Sequence, residues 1–367
     1  MSYNQIKGIL PRFPFIGKYV SATEMTSGNI NNTYHLIYKS GDKLNQYTLQ
    51  HINPYVFKQP EKVMENIRNV TEYLKTSLED EGMDPSRRVL QMIKTKQGES
   101  MYKDPSGYYW RAYHFIDNAT PYDSVKKPEH FFEVGRIFGE FQKRLCDFSV
   151  DKLHDTIPDF HNTTRRFYTF VAAVSEDKAG RVDEVEDEIE FLFDRRRMMG
   201  EIVKKLKKGE IAKRVTHNDT KINNVLIDDA TDKAICVIDL DTVMPGSALY
   251  DFGDAIRFGA STAAEDEEDL SKISLDMNLF RQFTAGFLSE VRGFLPDHEI
   301  RLLPLGVKVI TCELAMRFLT DYIDGDLYFK VRSPEHNLIR ARAQMKLLTD
   351  IEKKSDEMDK VIDELMK

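Results

Sequence analysis

The stretch Val215-Thr-His217-Asn-Asp219-Thr-Lys-Ile-Asn-Asn224-Val-Leu-Ile-Asp228, continued by Ala234-Ile-Cys-Val-Ile-Asp239-Leu-Asp241, decides how the rest of the chain is read. Two readings fit it. As plain structure it is two short apolar strands, Val225 to Ile227 and Ile235 to Ile238, flanking an Asp-Asp-Ala-Thr-Asp turn. As chemistry, an Asp two residues after a His, with an Asn five residues after that Asp, has the spacing of a kinase catalytic loop. There the Asp orients an attacking hydroxyl and the Asn holds magnesium. The two readings are compatible, because a hairpin in which Asn224 opens one strand and Asp239 closes the other returns both side chains toward Asp219. Three oxygen donors of this kind suit a hard Mg²⁺ ion that also binds phosphates. The triplet His-x-Asp-x-x-x-x-Asn fixes only three positions and recurs by chance. The strand-borne Asp239 makes the pattern specific.

Toward the amino terminus, Lys18 to Ile116 is rich in strand signals. Tyr34 to Tyr38 and Tyr47 to Ile52 are β-prone runs separated by a Ser40-Gly-Asp turn, and Val89 to Ile93 and Tyr108 to Ile116 are two more. Between them Pro60 to Leu78 switches to helical spacing, with Val63, Ile67, Val70 and Leu74 on one stripe. A phosphate-cradling turn belongs between the first two strands, and Thr26-Ser-Gly28-Asn29-Ile-Asn31-Asn-Thr33 stands there. Gly28 would allow close approach of backbone amides to phosphates, although Ser-Gly-Asn is also a common hairpin turn. Asn31 and Thr33 are assigned to the same nucleotide site. The sequence contains neither G-x-G-x-x-G nor G-x-x-x-x-G-K, so a Rossmann or P-loop site is not supported. Gln50 occupies the place where a kinase V-A-I-K strand carries its lysine, which removes a positive charge from the expected phosphate site.

Beyond Pro121 the pattern is helical. Phe131, Val134, Phe138, Phe141 and Leu145 form a core stripe, and Val182 to Lys208 carries acids early and bases late before Gly209 ends it. Helices resume from about Ala248. Strands, one helix, strands and then helices predict an α+β, protein-kinase-like two-lobe fold. Residues 1–117 would be a small β-rich nucleotide-binding lobe with one main helix, and 118–367 a larger, mostly helical catalytic and acceptor-binding lobe carrying the hairpin. Asp251-Phe-Gly253 spells D-F-G, but Asp239 already stands at a strand end soon after the catalytic loop. Asp251 begins a helical segment, where a carboxylate caps free amides and braces that loop, so Asp251 and His217 are read as structural.

Composition excludes some classes. A formal net charge of -8, without basic clusters interleaved with aromatics, argues against nucleic acid as a partner. Cys146, Cys236 and Cys312 are far apart, lack metal-ligand spacing and are expected to be buried free thiols of a reducing compartment. No apolar run reaches membrane-helix length, so a cytoplasmic protein with no membrane partner, a monomer or small homo-oligomer, is expected.

The block from Arg214 to Ile227, then Val237-Ile-Asp-Leu-Asp-Thr-Val-Met-Pro-Gly-Ser and Leu249-Tyr-Asp-Phe-Gly-Asp-Ala-Ile-Arg-Phe-Gly-Ala-Ser-Thr, resembles the aminoglycoside-phosphotransferase-like kinases. Among these it is most similar to the N-acetylhexosamine 1-kinases, a likeness that extends to Met316-Arg-Phe-Leu-Thr-Asp-Tyr and Pro334-Glu-His-Asn. The resemblance implies ATP with Mg²⁺ as cofactors and a small sugar as substrate, phosphorylated on its anomeric hydroxyl. It implies Asp219 as the catalytic residue, Asn224 and Asp239 as metal ligands, and adenine against the connector from Tyr113 to Asp117, at Phe115 and Ile116. For the acceptor it points to Arg317 and Phe258, with Arg257 and Asp321 as second choices, and to Asn29, where some relatives carry His. Arg317 lies in an apolar helical stretch and needs a partner, either a ligand oxygen or a carboxylate such as Asp321 at i+4. His336 and Asn337 read as helix-start residues. Two rivals stay open: a kinase for another small alcohol, whether sugar, amino alcohol or aminoglycoside, and a nucleotide-binding regulator with reduced catalysis.

Overall fold

The computed structural model describes residues 6–25, 31–54 and 56–367, and the chain divides into two compact units. Gly28 and Asn29 lie outside the described residues. The first unit comprises Met1–Asp123, Asp147–Ile157 and Asn223–Met244, and the second Ser124–Cys146, Pro158–Ile222 and Pro245–Lys367.

In the first unit, β1 (Lys18–Met25), β2 (Asn32–Ser40), β3 (Lys43–Ile52), β4 (Met92–Ile93), β5 (Tyr102–Lys103) and β6 (Tyr109–His114) form an antiparallel sheet. Its order is β1-β2-β3-β6-β4, with β5 also on β6. Alternate residues of a strand share a face. Tyr34, Leu36 and Tyr38, then Tyr47 and Leu49, then Trp110 and Ala112 thus meet Phe13 and Ile93 in one core. The same register sets Thr33 opposite Gln50, and Gln50 opposite Arg111. The strand expected from Val89 is shorter, because the amides of Arg88 and Val89 are turned back onto the Pro85 carbonyl.

Helix α1 (Pro60–Asp80) starts on a proline, whose missing N–H costs nothing in the first turn, and buries Val63, Ile67, Val70 and Leu74 as its spacing predicts. Its buried Asn66 explains why distant segments join this unit. The Asn66 carboxamide donates to the carbonyls of His154 and Val243 and accepts from the His154 amide. A second small sheet, β7 (Ala119–Pro121) against β9 (Val225–Asp228) against β10 (Ala234–Val237), follows β8 (Arg214–Thr216) of the other unit in sequence. Arg87 secures it by pairing with Asp228 and donating to the carbonyls of Asp117 and Asn118.

The second unit is helical: α2 (Pro128–Arg144), α3 (Thr163–Glu176), α4 (Glu186–Asp194), α5 (Arg196–Met199), α6 (Glu201–Lys208), α7 (Ala248–Gly259), α8 (Met277–Val291), α9 (Asp297–Ile300), α10 (Leu303–Asp324), α11 (His336–Lys353) and α12 (Ser355–Met366). Gly209 ends α6 in the left-handed conformation. Helices α7 and α10 cross at two glycines: a Cβ on Gly253 would stand 2.4 Å from the Gly306 carbonyl oxygen, and one on Gly306 would stand 2.2 Å from that of Leu249. The D-F-G glycine is therefore a packing requirement of the helix that carries Asp251. Cys236 and Cys312 are buried as expected, whereas Cys146 is exposed, because it stands just past the end of α2. No described helix is long and apolar enough to cross a membrane.

Candidate active site

In the second unit, β8 delivers His217, Asn218, Asp219 and Thr220 onto the start of α7. The Asp251 carboxylate accepts from the His217 amide at 2.9 Å, the Asn218 amide at 2.8 Å and the Gln142 carboxamide at 2.7 Å. The Asp254 carboxylate accepts from the Thr220 amide at 3.1 Å, and the Thr220 hydroxyl donates to the Asp251 carbonyl. This is the bracing expected of Asp251, extended by Asp254, which the sequence reading did not single out. Burial pushes the Asp251 carboxyl upward, while His217, the two amides and Gln142 pull it back toward the ionised form. His217 is fully buried with its ring edge-on to Phe138 and Phe141, so it packs the loop. Asn218 sits at φ 63°, a conformation L residues avoid and Asn tolerates. The bend leaves Asp219 partly exposed, 3.0 Å from the Lys221 ammonium.

In the first unit, the hairpin closes as predicted: the Ile238 amide donates to the Asn224 carbonyl at 2.9 Å, joining the two strand ends that carry Asn224 and Asp239. Asp239 is held at φ 58°, ψ 59°, directly before a single 3₁₀ turn, Leu240–Thr242. A left-handed Asp at a strand end is strained local geometry of the kind that clusters at functional sites. A carboxylate and a carboxamide at one end of a hairpin fit Mg²⁺, which takes one or two protein oxygens and completes its shell with phosphate and water.

Around Asp241 the first unit gathers three predicted nucleotide residues. Asn31 donates to the Asp241 carboxylate at 2.6 Å and accepts from the Asn53 amide at 3.0 Å. Gln50 donates to the Thr33 hydroxyl at 3.0 Å and accepts from Arg111 Nε at 2.9 Å. Arg111, only 1% exposed, also ion-pairs with Asp241. Burial opposes its charge, and Asp241 above all, with Tyr113 and Asp239, holds it firmly protonated. Arg111 was missed by sequence reading, although a lone charge inside Tyr-Trp-Arg-Ala-Tyr was a legible signal. Phe115 stacks on His35, with centroids 4.1 Å apart, and Ile116 packs with Leu226 and Cys236.

Returning to the second unit, Arg317 on α10 does not pair with Asp321. The Asp321 carboxylate is occupied by the amides of Leu327, Tyr328 and Phe329 and by Asn337. Arg317 faces Glu313 one turn earlier, at 3.8 Å, with the rings of Phe160, Tyr328 and Phe329 at 5.4 to 5.8 Å. Glu313 is fully buried and also meets His161 Nδ1 at 3.1 Å and Arg166 Nε at 3.3 Å. Burial, then the Arg317 charge, pushes the Arg166 guanidinium down to about 10. The buried His161 Nε2 and Tyr250 hydroxyl have no hydrogen-bond partner among the described residues. Arg257 is unsuited to a ligand, since Asp254, Glu265 and Gln344 take its guanidinium. Phe258 is half-buried at the end of α7, with the Lys221 ammonium 6.0 Å from its ring. His336 and Asn337 open α11, as expected.

A braced His-x-Asp loop, a hairpin ending on a left-handed Asp, and a β-rich unit followed by helices define a protein-kinase-like phosphotransferase. The chain belongs to the phosphotransferase enzyme family, which its residues 21–274 match. It is similar to the aminoglycoside phosphotransferase of Alicyclobacillus acidocaldarius subsp. acidocaldarius DSM 446, at 12% identity over 96% of each chain, with a TM-score of 0.60. It is similar also to a spectinomycin phosphotransferase solved with ADP and spectinomycin, at 12% identity over 97% of this chain and 99% of that one, with a TM-score of 0.59. A choline kinase from Cryptosporidium parvum Iowa II matches at 15% identity over 98% of each, with a TM-score of 0.58. At such identities the likeness is one of fold.

Proposed function

We propose that this chain transfers the γ-phosphoryl group of ATP to the anomeric hydroxyl of an N-acetylhexosamine, GlcNAc or GalNAc, giving the sugar 1-phosphate and ADP. Asp219 accepts the hydrogen bond of the attacking hydroxyl and takes its proton as the new O–P bond forms and the bridging bond to the β-phosphate breaks. Because this transfer is largely dissociative, aligning the hydroxyl matters more than a strong base. Asn224 and Asp239 hold Mg²⁺, which when bound neutralises charge on the phosphates. The amino-terminal region 1–117 supplies the nucleotide contacts through Gly28, Asn31, Thr33, Gln50, Phe115 and Ile116. Region 118–367 supplies the acceptor contacts Phe258 and Arg317, and Asn29 is assigned to the acceptor as well.

One observation supports a neutral, oxygen-rich acceptor over a cationic one. Two guanidiniums, those of Arg166 and Arg317, stand around the single buried carboxylate of Glu313, among aromatic rings. Surplus guanidinium repels an ammonium and donates to hydroxyl and acetyl oxygens, and rings offer an apolar face to a sugar. The named acceptors of the structural neighbours, spectinomycin and choline, are cations. The test is ADP release with Mg-ATP against GlcNAc, GalNAc, glucose, galactose and choline, with NMR of the product carbon. Turnover confined to the N-acetylhexosamines, with phosphorus coupling at the anomeric carbon, is expected. Preference for choline, or phosphate on another carbon, would replace this reading with that of another small-alcohol kinase, and nucleotide binding without any turnover with that of a regulator.

A further inference from the structure

The expected phosphate-pairing lysine is absent at Gln50, yet the cation is not lost. On the neighbouring strand β6, directly opposite Gln50, stands Arg111. Its guanidinium touches the carboxamide that replaced the lysine, through Nε at 2.9 Å, and reaches the Asp241 carboxylate with one terminal nitrogen. These bonds use Nε and Nη1 of a five-donor group, and Nη1 also lies 3.8 Å from Met64 Sδ. Asp241 lies two residues beyond Asp239, and its other oxygen receives Asn31, three residues after Gly28 in the sequence. Gln50 in turn holds Thr33. One buried cation and its partners thus tie together Asn31, the third strand and the segment after the hairpin. Low local polarity strengthens each of these bonds. The helix α1 carboxylates that would pair with a lysine are engaged elsewhere or exposed: Glu65 contacts His154 and Arg68, and Glu72 is on the surface.

We propose that Arg111 supplies, from the adjacent strand, the positive charge that kinases of this fold draw from the third-strand lysine. It acts as a positioning residue that fixes Asp241, and through it Asp239, while its field attracts the nucleotide phosphates. The inference rests on the ATP-dependent reading above. It differs from a merely structural ion pair in what it requires of ligands: Arg111 must discriminate by phosphate.

Calorimetric titration of Mg-ATP and of adenosine tests this in the intact chain, Arg111→Met and the double variant Gln50→Lys/Arg111→Met, with melting curves for each. If the intact chain does not bind ATP, the functional reading itself fails. If it does, Arg111→Met is expected to weaken ATP binding about 10- to 100-fold, with adenosine affinity unchanged. The double variant, with the charge restored from the third strand, is expected to recover most of the loss. Equal ATP affinity in Arg111→Met, parallel loss of ATP and adenosine, or a folded double variant without recovery overturns the proposal. So does unfolding of both variants, which would make the Arg111–Asp241 pair a requirement of the fold alone.

Discussion

Each unit buries an ionic cluster among its candidate site residues, one around Asp241 and one around Glu313, and the two are built on opposite plans. In the first, a single cation, Arg111, faces Asp241 and also feels the charge of Asp239, and neutral Gln50, Asn31 and Thr33 join the network. In the second, a single carboxylate, Glu313, faces His161, Arg166 and Arg317, with two polar atoms beside it unpartnered. A closed pair that satisfies its own members rigidifies what it touches, whereas an open cluster with surplus donors is poised for something from outside. The first plan suits a site that must hold the same donor in every turnover. The second suits one that must recognise an acceptor.

The sharpest way to break this contrast lies in the catalytic loop. Asp219→Ala is expected to lower turnover by about 10³-fold while Mg-ATP binding, followed by calorimetry, stays near its original value. A variant with near-normal turnover would remove Asp219 from the chemistry. Next in size is Asp251→Ala, which strands the amides of His217 and Asn218 and the Gln142 donor without touching any reacting group. Turnover should fall about 10²-fold through misplacement of the loop. Stability should fall by about 3 kcal/mol through unsatisfied buried donors, read from urea midpoints. Loss of stability without loss of turnover would separate the brace from catalysis.

How much of this was legible in the sequence follows the same divide. The hairpin, the Asn224 and Asp239 ends and the Asp251 brace were readable, because strand period, turn residues and spacing are local properties of the chain. Of the D-F-G letters, the structure explains Gly253: α10 passes too close for a side chain. Which carboxylate Arg317 faces was not legible. At i+4 Asp321 was as good a candidate as Glu313 at i−4, and only the loop that returns at residues 327–329 commits Asp321 to backbone amides. Arg111, Asp254, His161 and Arg166 escaped because their meaning lies in residues far along the chain. Asn66, whose bonds reach His154 and Val243, draws two remote segments into the first unit with no sequence signal beyond a polar residue on a buried stripe.

A smaller effect sharpens the acceptor side. Arg317→Met keeps the apolar stem against Phe160, Tyr328 and Phe329 but removes the surplus guanidinium. The KM for the N-acetylhexosamine should rise about tenfold, with the KM for ATP within about twofold. Arg257→Met, by contrast, should cost stability and leave the acceptor KM unchanged, because Asp254, Glu265 and Gln344 already consume its donors. Equal KM effects at both positions would mean that the open cluster is not what meets the acceptor.

The smallest effect concerns the carboxylate at the centre of that cluster. Burial alone would push the Glu313 carboxyl up, but His161, Arg166 and Arg317 together hold it below its ordinary 4.5. An acid held lower in the folded chain than in the unfolded one contributes stability while ionised in both, above pH about 4.5, and loses that contribution as pH falls through the lower folded value. Glu313→Gln, which keeps the shape and drops the charge, should therefore cost about 1 kcal/mol at neutral pH. The difference from the parent chain should shrink steadily below pH about 4.5. Melting temperatures of both chains across that range measure it. A gap that stays constant into acid would show that shape, and not the charge shared with His161, Arg166 and Arg317, is what Glu313 provides.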